Sequence, residues 1–344
     1  MHSRRKAHRA AVVAGALCIG LVARPWTASA VPIGTIGGGA TASAAAVRLA
    51  PPTTTPAATT PAAGGGSSPT FAGCSVFPST NAFNTAISSL AVRPESSTVV
   101  AATSASGSNL QFQFWSKPTS GFQVVAVPAD QPNVPITYDQ YPSESDPGPF
   151  PIPLDAPQED NADKHIIVVQ QGTCQLYELW ATHRSSNGWY AGTGAQWDLA
   201  SNATRPPRWT SADAAGLPIF PGLLRYDEVA SGHIDHALRV TVAVSRWAVI
   251  APATHFVGSA NTSLLPMGAR LRLRADYDIS GFTGQSKVIA QALKTYGLIV
   301  ADNGPNWMIS GVGDARWDDT DMNQIRNIQA SALEYVDNGP VVTG

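Results

Sequence analysis

The sequence predicts a mainly β single domain, an antiparallel β-sandwich or jelly roll with a few peripheral helices. Three observations carry this expectation. The apolar runs are short and punctuated by turn residues, with 30 Gly and 27 Pro in 344 residues. "RLRLRAD" (270–276) alternates Leu with Arg, the signature of a strand with one buried and one wet face. Only two segments keep apolar residues at helical spacing over several turns.

The N-terminus reads as a secretory signal over residues 1–30. A basic start, "MHSRRKAHR", precedes the uncharged "AAVVAGALCIGLVA", and "ASA" ends at Ala30. The apolar run is shorter than the roughly 20 residues that span a bilayer, and no later segment is a transmembrane candidate. Residues 31–70 are Ala, Thr, Pro and Gly with almost nothing to bury, so they read as a disordered tether. The globular domain then occupies residues 71–344.

Strands are expected over 122–127, 134–138, 165–170, 174–180, 195–200, 237–244, 247–251 and 269–277. "HIIVVQQGTCQLYELW" reads as a hairpin turning at Gly172. "GLIVADNGPNWMISG" (297–311) reads as strand, Asn-Gly turn, strand. The two helical patterns are "GQSKVIAQALKTYG" (284–297), stopped by Gly297, and "DTDMNQIRNIQASALEYV" (319–336), capped by Asp319 or Thr320.

Only 13% of the chain is charged, about half the usual share. Cleavage after Ala30 would leave 17 Lys and Arg against 24 Asp and Glu. Such an acidic chain argues against a nucleic-acid partner, which requires clustered cations. Cleavage would also leave two cysteines, Cys74 and Cys174, and an exported pair reads as a disulfide.

Charge concentrates in "SADAAGLPIFPGLLRYDEVASGHIDHALRVTV" (211–242). "TSADAAG" reads as a short helix start, with Asp213 in its first turn. "RYDEV" sets Arg225, Tyr226, Asp227 and Glu228 side by side. The two acids would point to opposite faces if extended and share one edge if helical. In "GHIDHALR", strand alternation puts His236 with Leu238 and Val240 on the core side and Arg239 on the other. The catalytic candidates are therefore His236, Glu228, Asp227, Asp235 and Tyr226, with His236 transferring a proton and a carboxylate orienting its ring. The substrate-binding candidates are Arg225, Arg239, Asp213, His255, Trp209 and Trp307. His233, His236 and His255 lack metal-site spacing, so neither a metal nor another cofactor is expected.

The sequence is rich in tryptophan. Trp180, Trp197 and Trp247 lie in apolar alternation and are expected in the core. Trp189, Trp209, Trp307 and Trp317 neighbour Gly, Pro, Asn or Asp, as sugar-stacking rings do.

The run Glu144-Ser145-Asp146-Pro147-Gly148-Pro149, together with "LYELW", the 209–242 stretch and "GLIVADNGPNWMISG", resembles a family of secreted bacterial proteins with no assigned activity. The resemblance covers most of residues 74–337. It implies export and a shared domain, and it carries over no catalytic residue. The residues themselves point to a secreted or cell-surface protein acting on a polysaccharide or cell-envelope glycan as hydrolase or lyase. The alternative is a non-catalytic glycan-binding or structural surface module.

Overall fold

Ten strands build two principal sheets, and every one is short. The computed structural model describes residues 68–344; the expected signal segment and nearly all of the tether lie outside them. In chain order the strands are β1 (Gln111–Phe112), β2 (Val124–Val127), β3 (Ile166–Gln170), β4 (Gln175–Trp180) and β5 (Thr193–Asp198), then β6 (Leu238–Val242), β7 (Arg270–Leu273), β8 (Leu298–Asn303), β9 (Met308–Ile309) and β10 (Leu333–Tyr335). The mainly β expectation holds. Among the described residues there are four short α-helices: α1 (Ser96–Thr103), α2 (Tyr226–Ser231), α3 (Gly284–Thr295) and α4 (Asp319–Met322).

The four-stranded sheet runs β5-β4-β3-β2 and contains the expected hairpin, with Ile166 opposite Leu179 and Gln170 opposite Gln175. Strand β3 is buried on both faces. Ile166 and Val168 join the cluster of Phe150, Tyr177 and Trp189, while Ile167 and Val169 join Leu176, Trp197, Ile219 and Phe220. That explains an apolar run without alternation. Cys74 and Cys174 form the expected disulfide, tying the start of the domain to the residue before β4.

The six-stranded sheet runs β10-β7-β8-β6-β9-β1. Its central pair, β6 and β8, is parallel, as are β9 with β1 and, in the other sheet, β2 with β3. The sheets are thus mixed. The expected 297–311 hairpin does not form, because β6 lies between β8 and β9 and pairs with both. All five residues of β6 are buried, and a doubly buried strand completes more apolar contacts at the centre of a sheet than beside a hairpin.

Helix α3 matches its pattern, packing Ile289, Ala290, Ala292 and Leu293 inward. The expected 319–336 helix is cut short. After α4 the chain tightens into a 3-10 turn at Asn323–Asn327, and Leu333–Tyr335 becomes a strand paired with β7. Asn is a weak helix former, and strand pairing wins the segment's end. "TSADAAG" forms turns and no helix. Gly216, at φ +71°, is needed there because a Cβ would lie 2.2 Å from Thr254 Oγ1 and 2.5 Å from the Trp209 carbonyl oxygen.

Candidate active site

The charged stretch is resolved into two buried assemblies. The first surrounds Arg239 on β6. Its Nε and Nη2 donate to Asp213 at 2.7 and 2.8 Å, Nη2 also donates to Asp302 at 3.0 Å, and Nη1 donates to Ser310 Oγ at 2.6 Å. Bonding continues from Ser310 to Gln113, from Gln113 to Glu159, and from Glu159 to His165 Nδ1 at 2.6 Å. His165 Nε2 returns to the Ala212 carbonyl at 3.1 Å, beside Asp213. The circuit joins the two sheets through the 210–219 loop. A buried guanidinium survives only when its donors are satisfied, and here carboxylates, a hydroxyl and the Phe122 ring at 5.3 Å surround it.

His165 faces acceptors on both ring nitrogens, which both therefore donate as imidazolium. Burial opposes that charge, but Glu159 outweighs it and raises the pKa above 6.5. Glu178, at the centre of β4 and fully buried, accepts from the Ile219 and Phe220 amides at 2.8–3.0 Å. Burial pushes its carboxyl up to about 7 against those two bonds.

The second assembly contains His236. Its side chain is fully buried, Nδ1 lies 2.9 Å from the Ala237 carbonyl and Nε2 lies 3.1 Å from Glu228. Glu228 on α2 also pairs with Arg225, which is held by the Phe220 carbonyl and sits over the Phe220 ring. Burial alone would raise the Glu228 carboxyl, but Arg225 and His236 outweigh it and hold it near 2. A sealed imidazole bonded at both nitrogens cannot reach a substrate. His236 and Glu228 therefore anchor α2 to β6.

Of the remaining expected residues, Asp227 and Asp235 line a surface cleft of about 470 Å³ with Glu228 and His233, and Tyr226 lines another of about 380 Å³ with Arg225, Asp227 and Glu228. Asp227 is exposed and pairs with Arg316 at 2.7 Å. Tyr226 packs between Trp317 and Arg316. Asp235 lies 3.5 Å from His233. Arg239 and Asp213 are structural, and Trp209 covers Arg205, which ties Thr210 to Glu144. Trp307 is fully buried, its indole N–H bonded to Ser104. Trp189 and Trp317 are also buried with bonded N–H groups, whereas Trp247 is 45% exposed, so burial reverses the expected assignment for all three. An indole buried with its N–H satisfied contributes its full apolar area to the core.

A separate polar cleft takes only His255 from the expected residues. This space of about 320 Å³ lies at the outer edge of the Arg239 circuit. Its lining includes Asp302, Asn303, His165, His255, Asp163 and Trp180, with Tyr141 at the rim. Asp302 comes from a β-bulge. Val240 pairs with Val300 but Thr241 pairs with Asp302, so Ala301 is the extra residue, and a bulge re-aims the side chain that follows it. The carboxyl is about a quarter exposed, accepts from Arg239 and from the Asn303 amide, and carries a pKa of about 7. Burial is the main cause and the nearby Asp213 charge adds to it, with Arg239 opposing both.

His255 Nδ1 donates to the Ala214 carbonyl at 2.7 Å, which leaves Nε2 to the cleft, 4.0 Å from Glu144. Tyr141, 42% exposed, and half-buried Trp180 place their ring centroids 6.4 Å apart. Asp163 accepts from the Trp180 indole at 3.3 Å.

Sequence reasoning missed Asp302, Asp163, His165, Tyr141 and Trp180 as cleft residues. The one local signal was an acid ending an apolar strand, in "GLIVADN". Among the described residues no group of three His, Cys, Asp or Glu is placed to hold a metal ion, and no helix is long and apolar enough to cross a membrane. Compared with known proteins, the chain matches no family model, no curated protein and no solved structure.

Proposed function

We propose that this cleft binds a saccharide and that the protein is an exported glycan hydrolase in which Asp302 is the proton donor. The observation that carries the reading is the position of Asp302. It is a largely buried carboxyl whose pKa burial raises, and it opens into a cleft that the Tyr141 and Trp180 rings line. Raised carboxyl pKa values at the base of a cleft are what general acids require.

Glycoside hydrolysis also needs a second group to activate water or attack the sugar. Asp163 and His255 Nε2 are the bases in the cleft. Hydrolysis is favoured over elimination because the described lining of the cleft has no Lys or Arg and its imidazolium, His165, is already paired with Glu159, which leaves no free cation to neutralise a uronate. Tyr141 and Trp180 would take the C–H faces of the sugar. The disulfide suits an oxidising compartment and supports export.

The test is a polysaccharide panel scored for reducing ends and for binding. Wild type should release reducing ends from one glycan class. Trp180→Ala should weaken binding to that glycan while the fold, followed by circular dichroism, persists. Binding without release would mark a non-catalytic glycan module. Neither binding nor release across the panel would overturn the proposal.

A further inference from the structure

The aromatic rings do not stop at the cleft. Trp180 lies against the backbone of Gly192. A Cβ there would come within 2.6 Å of the indole carbon Cε3 and 3.0 Å of Gln140 Nε2, so the ring covers this bend because residue 192 has no side chain. The Tyr141 amide donates to the Gly192 carbonyl at 3.0 Å, fixing the first ring to the same point. Two residues before Gly192 is Tyr190, within about 7 Å along the chain. Tyr190 is 40% exposed and pairs across the ribbon with exposed His183. Their rings stack with centroids 4.8 Å apart and planes 7° from parallel. Stacking occupies one face of each ring, and Tyr190 keeps 40% of its surface open to solvent.

We infer that Tyr141, Trp180 and the Tyr190–His183 stack form one track leading out of the cleft, and that it holds successive units of an extended, equatorially substituted polysaccharide. The inference rests on the saccharide reading of the cleft and names the substrate class that reading leaves open. Continuity with the cleft favours this occupant. Tyr141 and Trp180 both meet the chain at Gly192, Tyr190 stands two residues before it, and Gln140 and Arg184 beside them can bond hydroxyl groups. Flat sugars present C–H faces to rings and hydroxyls to flanking polar groups. A branched or strongly bent glycan could not contact all of these rings at once.

The test uses cello-, chito- and xylo-oligosaccharides, from disaccharide to octasaccharide, titrated calorimetrically into the intact protein. In wild type the affinity for one series should rise with length and then level off. Tyr190→Ala should bind the disaccharide as wild type does and lose roughly three- to tenfold on the longest member, the worth of one aromatic contact. Tyr190→Phe, which keeps the ring, should restore the gain. An unchanged length dependence in Tyr190→Ala would overturn the track and leave the cleft standing. Failure of every series to bind wild type at any length would overturn both. Circular dichroism and melting confirm that each variant is folded.

Discussion

Replacing Glu178 with Gln tests the buried carboxyl between the sheets. The native pKa of about 7 against 4.5 for the free group is a displacement of about 2.5, equivalent to about 3 kcal/mol. The sign follows from proton binding. Between these two values the folded chain holds a proton at Glu178 that the unfolded chain has lost, so the stabilisation is present below pH 4.5 and disappears as pH rises to about 7. The amide introduced by Glu178→Gln cannot titrate, and its oxygen can still accept from the Ile219 and Phe220 backbone N–H groups. Urea unfolding of both proteins from about pH 4 to pH 8 is the assay. The stability difference should move by about 3 kcal/mol in favour of the variant across that range, whatever its value at pH 4. Parallel curves would refute the assignment of a raised pKa to Glu178.

Other buried groups give expectations of the same kind. His165, also raised, and Asp302 should each lose stabilisation as pH rises, so the melting temperature of wild type should be higher near pH 5 than near pH 8 in a calorimetric scan. Glu228, held near 2, acts in the opposite sense: its stabilisation is present above 4.5 and is lost as pH falls towards 2. Glu228→Gln should therefore flatten the acid limb of the stability curve. Asp213→Ala should cost about 3–5 kcal/mol in denaturant unfolding, because Arg239 keeps its burial and loses its two-pronged partner. Reducing Cys74–Cys174, which closes a 100-residue separation, should cost about 4–5 kcal/mol by the chain-entropy relation.

The sequence exposed what is local. Turn chemistry and β-rich composition located the 166–180 hairpin, and helical spacing located α3. The acids and arginines of 211–242 marked the most polar part of the interior. Their roles were not legible because each depends on a distant partner. Arg239 reads as a surface-facing strand residue until Asp213 and Asp302 converge on it. His236 reads as a catalytic base until α2 closes over it. Periodicity could not separate a two-sided buried strand from a hairpin arm, so the insertion of β6 between β8 and β9 was invisible. The cleft assembles Tyr141, Asp163, Trp180, His255 and Asp302 from five separate segments; His255 was the one sequence candidate among them, and Asp302 carried a local hint.

The most direct test of Asp302 as the proton donor compares wild type with Asp302→Asn on the glycan that binds best, measuring affinity and reducing-end release on the same samples. The asparagine side chain keeps the shape of the cleft and cannot donate the acid proton. Binding should stay within a fewfold of wild type while nearly all turnover is lost. Undiminished release of reducing ends by Asp302→Asn would contradict that role.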